Sequence, residues 1–305
     1  MPSLRSHFQR TMFPGIREFL FRGYLEKPLE YPGIFNEMPS DSAFEEDLHA
    51  TGVGLFTLQP ESTTVEEDQF YRGLSIRYTH LDYGKRIGFS HQFIRDGKIN
   101  MWNERSADMG YSARQTQEVL IADMLNSGNT TVGYDGVPLY SASHPLIRGG
   151  AFGGATGRVQ SNLLATPATL SVVSYRAMLT MFRRFFDPTG VRRIQLNAAK
   201  LVVPPELEWD AKEIIKSSTR PDTANRADNV VQHTTEVVVY DYLLQPKPWF
   251  MFADKRNIKI KVFIREKFNV SEYEREEQRM NWVQAALAFS FGWSDYIGTV
   301  ATYPP

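Results

Sequence analysis

The chain has 305 residues, of which 42% are hydrophobic and 23% are charged, a composition typical of a globular protein with one or two cores. Its formal net charge is -1, so the total charge does not predict condensation onto nucleic acid, which requires clustered lysine and arginine. The absence of cysteine excludes disulfides and cysteine-based metal sites, and it favours synthesis inside a cell. The apolar stretch Trp282–Trp293 is too short to span a bilayer and no signal-peptide pattern opens the chain, so we expect neither secretion by that route nor a membrane span.

The first 50 residues show no strand alternation. Their prolines, which interrupt helices, include Pro14, Pro28, Pro32 and Pro39. We therefore expect residues 1–50 to form an arm that lies along another surface, or alternatively a loosely packed extension. Arginines interleaved with phenylalanines in residues 1–24 suit contact with a neighbouring protein surface better than contact with nucleic acid.

A long hairpin is predicted next, because two segments with period-two alternation flank an acidic stretch. The first predicted strand is Val53–Leu58 and the second is Leu74–Tyr78. Between them, residues 61–68 read ESTTVEED, which predicts an exposed acidic turn. After a break at residues 82–85, one face of a further strand carries Ile87, Phe89, His91 and Phe93.

Residues Ile99–Asn126 carry the longest helical pattern of the chain. Apolar side chains recur there at steps of four and seven, at Trp102, Met109, Ala113, Leu120 and Met124. Gly110 weakens the middle of this helix by about 1 kcal/mol relative to alanine. The pair Ser127 and Gly128 predicts its end, so the helix should be roughly 40 Å long.

The remainder alternates loops, helices and short strands, which predicts a mixed α+β fold. Residues 129–169 and 218–229 are rich in glycine or polar side chains and are typical of loops. Helices are predicted for Ser171–Phe186 and Pro204–Ser217. Strands are predicted for Lys200–Val203, Thr235–Tyr242, Trp249–Ala253, Ile258–Arg265, Val283–Phe291 and Tyr296–Thr302.

No motif predicts an active site, so we expect no enzyme, cofactor or metal. The glycine run 149–157 lacks the spacing of a dinucleotide site or a P-loop, and we interpret it as a flexible loop. His144 lies beside serines in SASHP, but no G-x-S-x-G elbow is present, and we expect this loop histidine to bond to backbone. The six histidines lack metal-ligand spacing, and a cross-strand polar pair is expected for His80 and His91. The charge run Glu274–Arg279 is interpreted as a solvated turn.

Six segments carry a family resemblance through their order and spacing. They are IGFSHQFIRDG before the long helix, DGVPLYSASHPL from Asp135, SNLL from Ser161, LVVPPELEWDAKEII from Leu201, PWFMFAD from Pro248 and FGWSDYIGT from Phe291. Over roughly residues 80–302 the chain resembles the HK97-fold major capsid proteins of tailed bacteriophages, and more narrowly the Mu-like major head subunit family.

The resemblance implies an HK97-like capsid fold with five parts. Residues 1–50 would be the N-terminal arm, and residues 51–80 would be the extended E-loop hairpin that overlaps a neighbouring subunit. Residues 81–191 would form the peripheral (P) domain, with the long helix as its spine. Residues 192–255 would form the axial (A) domain around the capsomer axis, and residues 256–305 would be strands that return to the P domain.

The resemblance also implies a function. The chain would be a major capsid protein that self-assembles in the host cytoplasm into hexamers and pentamers of an icosahedral shell, and it would be part of the virion. It would enclose double-stranded phage DNA without binding it specifically. Expected partners are copies of itself, a portal, a decoration protein and a separate scaffolding protein, since no charged scaffolding helix precedes the arm. Three alternatives stay open: an encapsulin-like nanocompartment subunit, which shares the fold, an α+β hydrolase, and a minor virion or assembly protein that never forms the lattice.

The expected contact sites follow from the hairpin. Its acidic tip should meet basic groups of a neighbour, and the tip residues are Glu61, Glu66, Glu67 and Asp68. Candidate partners are arginines of the arm, or Arg105 and Arg114 of the long helix. Some relatives form covalent cross-links through a lysine on the E-loop, but Thr51–His80 contains no lysine. We therefore expect non-covalent assembly.

Overall fold

The computed structural model describes residues 13–50, 55–56, 58–65, 67, 72–90, 92, 99–146, 159–188, 190, 192–219, 228–275 and 280–305. The α-helices are α1 (Phe13–Leu25), α2 (Tyr31–Ile34), α3 (Ile99–Asn126), α4 (Val172–Arg184) and α5 (Glu208–Lys216). Short 3-10 turns cover Pro205–Leu207 and Lys255–Asn257. The strands are β1 (Asn36–Pro39), β2 (Phe44–Ala50), β3 (Arg72–Thr79), β4 (Leu81–Ser90), β5 (His144–Pro145), β6 (Val159–Gln160), β7 (Ala198–Val203), β8 (Glu236–Val239), β9 (Trp249–Ala253), β10 (Ile260–Arg275), β11 (Met280–Trp293) and β12 (Thr299–Thr302). The predicted α+β class is confirmed.

The first sheet has the order β1-β10-β11-β4. Strands β10 and β11 form a long antiparallel pair, and β1 runs parallel to β10. The alternation predicted for β11 is confirmed, because Val283, Ala285 and Leu287 are buried. Strand β10 continues ten residues beyond the predicted end at Arg265, since β-bulges break its apolar alternation there while pairing to β11 persists. The predicted break at residues 82–85 is wrong, because β4 pairs with β11 through that segment.

Helix α3 has the predicted bounds and packs against this sheet, where Phe89 stacks on Trp102 at 3.6 Å between ring centroids. Helix α1 crosses α3 so closely that two glycines are required. A Cβ on Gly110 would lie 2.0 Å from the carbonyl oxygen of Leu20, and one on Gly23 would lie 2.0 Å from that of Ala107. Gly110, predicted only to weaken the helix, therefore permits this helix crossing.

The described part of the predicted arm is packed on its own subunit. Ile16, Leu20, Tyr31, Ile34 and Phe35 are all buried in the core. The prolines fit this arrangement because Pro14 and Pro32 occupy first turns of helices, where no intrahelical N–H is lost. Residues 13–35 are thus neither a loose extension nor an arm on another surface, while residues 1–12 lie outside the described part.

The second sheet has the order β12-β9-β7-β8. Helix α5 connects the parallel strands β7 and β8, and all five residues of β9 are buried. Strand β12 pairs with β9 from Thr299↔Phe252 to Thr302↔Trp249. Of the strands in residues 256–305, β10 and β11 belong to the first sheet, whereas the four residues of β12 are buried beside β9 in the second. The predicted return of residues 256–305 to the P domain stays a prediction.

The hairpin is formed by β2 and β3, which pair from Phe44↔Thr79 to Ala50↔Arg72. The second predicted strand is confirmed within β3. The first begins at Phe44 instead of Val53, because FEEDLHA has three consecutive acidic residues and neither an apolar run nor a period-two alternation to mark it. Leu55, Phe56 and Leu58 lie outside any strand. The hairpin therefore starts seven residues before the predicted boundary at residue 51.

Some predictions fall outside the described residues. They concern Val53, Gly54, Thr57, His91, Phe93, the glycine run 149–157 and Glu276–Arg279. Within the described part of the chain, no helix combines the length and apolar character needed to cross a membrane.

Candidate assembly surfaces

One face of the hairpin points to solvent. Phe44, Glu46 and Leu48 of β2 lie on it opposite Ser75 and Arg77 of β3. Arg77 forms an ion pair with Glu46 at 2.7 Å, and its guanidinium carbon lies 4.0 Å from the ring centroid of Phe44. Exposed ion pairs stabilise a protein little. The face is therefore a mixed aromatic, aliphatic and charged surface that the subunit itself leaves uncovered.

The opposite face fixes the root of the hairpin to the first sheet. Lys261 Nζ of β10 lies 2.6 Å from a carboxylate oxygen of Asp47 in a partly buried ion pair. The hydroxyl of Tyr78 donates to Asp47 at 3.3 Å, and its ring packs on Phe263 with centroids 5.1 Å apart. Burial and the Asp47 carboxylate raise the pKa of Tyr78, so its hydroxyl stays protonated.

His80 joins β3 to β4 at this root. Its Nε2 lies 3.0 Å from Oγ of Ser40 and its Nδ1 lies 3.0 Å from Oγ of Ser290. Ser40 in turn donates to Glu45 at 2.6 Å. Burial, together with the charge of Arg265, lowers the pKa of His80. The predicted pairing with His91 remains a prediction, because His91 lies outside the described residues.

The tip of the hairpin is open to solvent where it is described. Leu55, Phe56, Leu58 and Val65 are exposed, and Phe56 is 100% exposed. Of the predicted acidic contacts, Glu61 and Glu67 are exposed, whereas Glu66 and Asp68 lie outside the described residues. Exposed apolar side chains of this size next to carboxylates are typical of a surface that meets a partner.

The two predicted basic partners have different surroundings. Arg105 is exposed on the outer face of α3, where a neighbouring chain can reach it. Arg114 is only 1% exposed and donates to the carbonyl of Pro28 at 2.6 Å and to the hydroxyl of Tyr242 at 3.1 Å. Arg114 as a contact for a neighbour's hairpin is therefore wrong, because its guanidinium is committed inside the subunit.

Arg114 belongs to a buried polar network that the sequence did not predict. Glu118 of α3 accepts hydrogen bonds from the backbone N of Glu30 at 2.5 Å and from the hydroxyl of Tyr240 at 3.0 Å. Glu30 accepts from the backbone N of Asp241 at 3.0 Å. Burial raises the pKa of both Glu118 and Glu30. The sequence did contain a signal for this network, because three polar residues lie on the same stripe of the helix as residues that are buried and apolar. The polar residues are Arg114, Gln117 and Glu118, and the apolar ones are Ile121 and Leu125.

His144 is buried and bonds to side chains. Its Nδ1 lies 2.6 Å from Oδ2 of Asp135 and its Nε2 lies 3.1 Å from Oδ1 of Asn162. The ring stacks on Tyr296 at 3.7 Å. The predicted backbone partner is wrong, because both ring nitrogens face side-chain oxygens, those of Asp135 and Asn162. The segment DGVPLYSASHPL thus fixes its loop to the chain before β12, which is a structural role.

Within the described residues, no group of three or more histidine, aspartate or glutamate side chains is arranged to bind a metal.

The comparisons identify the family. The family model described as phage capsid protein matches residues 73–302, which is well over half of the chain. No curated protein matches the chain. The narrower resemblance to Mu-like head subunits stays a prediction.

Solved structures share the fold. The procapsid of bacteriophage JBD30 has 13% identity and a TM-score of 0.53, with 100% of this chain and 76% of that chain covered. Mycobacterium phage Adephagia has 9% identity and a TM-score of 0.58, with 92% and 91% covered. A virus-like particle from Pyrococcus furiosus has 10% identity and a TM-score of 0.52, with 96% and 100% covered. The chain belongs to the phage capsid protein family, and it is a major capsid shell subunit with an HK97-like fold.

Proposed function

We propose that the subunit forms hexamers and pentamers that close into an icosahedral shell around double-stranded phage DNA. The hairpin carries this proposal. It is a two-stranded sheet of its own, with apolar side chains exposed along one face and at its tip. A two-stranded hairpin is at best marginally stable alone, so a neighbouring surface is expected to cover it. In a closed lattice every subunit can offer that same surface.

The acidic tip is proposed to meet a basic surface of the neighbour. Glu61 and Glu67 are exposed, and Glu66 and Asp68 add two carboxylates in the sequence. Arg105 supports this proposal because it is exposed on α3. Arginines of residues 1–12 supply further charge. Complementary charges of this kind fix the register of a contact and increase its association rate more than they increase its affinity.

We propose a division into two domains that follows the two sheets. The first sheet with α3 would be the peripheral domain, and the second sheet with α4 and α5 would be the axial domain around the capsomer axis. Strand β12 would then belong to the axial domain, which moves the predicted boundary at residue 256.

The wider assembly is also proposed. A separate scaffolding protein, a portal and a decoration protein would act with the subunit, and assembly would take place in the host cytoplasm. The subunit would have no enzymatic role, and it would enclose DNA without specific contacts, in line with its near-zero net charge.

Sedimentation and negative-stain microscopy test the proposal. The full chain, expressed in bacterial cells with and without a scaffolding protein, should give closed shells, and virions should hold DNA inside them. Shells loaded only with a folded cargo protein would favour a nanocompartment. Monomers under every condition would contradict shell formation.

A further inference from the structure

Helix α5 presents an acidic face with an exposed tryptophan at its centre. Trp209 is 74% exposed, while Ala211, Ile214 and Ile215 bury the other face of the helix. Lys212 lies over the indole, 5.0 Å from the ring centroid, and also pairs with Glu208. At steps of three and four from Trp209, the same outer face carries Glu206 and Glu213, while the exposed Asp210 follows Trp209 directly and Lys216 lies one further step along. We call this surface the Trp209 face.

A groove of about 750 Å³ lies beside α4. It runs between α4, the start of β7 and the turn before β8. Its apolar lining is Leu179, Ala198, Val230 and Val231, and Val230 is 83% exposed. Arg176 and Arg183 also line it. The described residues that line it include no carboxylate. We call this surface the α4 groove.

The surroundings of the groove increase its positive charge. Arg184 follows Arg183 at the end of α4, and both are exposed. Val173, Ala177 and Thr180 of the same outer face are exposed and uncharged. Three described carboxylates are close to the lining in sequence: Asp187 is buried and accepts from the backbone N of Arg192, Glu236 pairs with Lys200 at 3.9 Å, and Asp228 is exposed. The groove is therefore basic at its rim and apolar at its floor.

We propose that the α4 groove of one subunit receives the Trp209 face of a second copy of this chain. The indole would fill the apolar floor, and the carboxylates around it would meet Arg176 and Arg183. Tryptophan and arginine are the residue types that dominate binding energy at interfaces. The two surfaces differ, so the contact is heterologous and generates a ring when its rotation closes. The inference rests on the proposed shell assembly and names one contact within it.

Charge reversal tests the pairing. We expect a groove variant, Arg176→Glu with Arg183→Glu, to raise the subunit concentration needed for half-maximal assembly by about tenfold or more. A helix variant, Asp210→Arg with Glu213→Arg, should have the same defect. The chain with all four changes should recover assembly, because every contact again joins opposite charges. Arg256→Glu, on an exposed side chain of another turn, is the matched control and should assemble normally.

A mixture of the two defective variants gives a sharper result. The groove variant is acidic on both surfaces and the helix variant is basic on both. Equal amounts can therefore alternate around a six-membered ring with every contact matched. A five-membered ring cannot alternate without one mismatch. We expect the mixture to restore hexamers and to restore pentamers poorly.

Fluorescence separates this inference from the shell proposal. The chain has five tryptophans, and subtracting the spectrum of Trp209→Phe isolates one of them. On assembly, the Trp209 signal should shift to shorter wavelength and lose access to acrylamide. Shells in which Trp209 stays equally quenchable, or in which the reversed variants assemble normally, would overturn the contact and leave the shell proposal intact. If only an added scaffolding or decoration protein restores assembly of the reversed variants, the groove binds that partner. This result would also overturn the proposed contact between copies of the chain. Folded wild-type subunits that never form shells would overturn the shell proposal itself.

Discussion

The hydroxyl of Tyr240 donates a hydrogen bond to Glu118 across 3.0 Å and so fixes the turn after β8 to the middle of α3. Both side chains are fully buried. The same carboxylate accepts from the backbone N of Glu30. One side chain thus joins the segment after α1, the long helix and the second sheet. Arg114 is the cation nearest to this point, and the other charged or titratable groups around it are Glu30, Asp241, Lys27, Tyr24, Tyr31 and Tyr242.

This junction predicts a pH-dependent stability. Burial, and secondarily the charge of Glu30, raises the pKa of Glu118. The folded protein therefore holds this proton more tightly than the unfolded chain does. The contribution of Glu118 is fully present below its unfolded pKa and is lost as pH rises through the folded pKa. We expect the free energy of unfolding to fall less for Glu118→Gln than for the wild type as pH rises from mildly acidic to mildly alkaline. Urea denaturation measures this difference.

The control for this prediction is Glu118→Ala. It removes the acceptor for Tyr240 and for the Glu30 backbone, and it should cost about 1–3 kcal/mol at every pH. Stability curves of wild type and Glu118→Gln that run parallel across pH would show that Glu118 does not titrate in this range.

The helix crossing predicts opposite effects of alanine at two glycines. Gly110→Ala places a methyl group against the backbone of Leu20, so we expect a loss of about 1–3 kcal/mol in unfolding free energy. At Gly15 of α1, an added Cβ would have no other atom within 4 Å. Gly15→Ala should therefore raise the unfolding free energy by up to about 1 kcal/mol. Equal effects of the two changes in urea denaturation would refute the close crossing.

The exposed tip predicts a charge-dependent assembly step. We expect Glu61→Lys with Glu67→Lys to slow shell formation and reduce its salt sensitivity, while circular dichroism of the subunit stays unchanged. Arg105→Glu should have a similar effect if it is the partner, and combining the changes should restore assembly. Unchanged kinetics across a salt series would count against pairing at the tip.

The lysine-free hairpin predicts shells held without covalent bonds. Residues 44–80 contain neither lysine nor cysteine, so neither an isopeptide bond nor a disulfide can start there. Purified shells boiled in detergent should release a single band near 34.9 kDa. A ladder of larger bands would contradict this, and Lys85 and Lys98 would then be the first to replace.

The elements predicted well from sequence are those whose pattern is local. Helix α3 has a long apolar stripe and a Ser-Gly stop, and β11 alternates cleanly over its middle residues. Strand β2 was missed because its acidic residues lie opposite β3, and only that pairing makes it a strand. A hairpin was therefore predicted in the right region of the chain with its first strand displaced.

The parts of the candidate site that were mispredicted depend on distant partners. Arg114 was taken as a surface cation, yet its acceptors are Pro28 and Tyr242, which lie far away in sequence. The role of Gly110 becomes visible only beside Gly23 of another helix. A single sequence gives the residue types at such positions, while the tertiary fold decides whether a charge is paired inside or offered outside.

Shell formation by a chain with a shortened hairpin tests the central claim most directly. Residues 51–71 would be replaced by a short turn, which leaves β2 and β3 in place. Sedimentation velocity and negative-stain microscopy would then compare this variant with the full chain. We expect closed shells from the full chain, and a folded variant that forms nothing larger than isolated rings. Normal shells from the shortened chain would contradict the claim that the hairpin holds neighbouring subunits together.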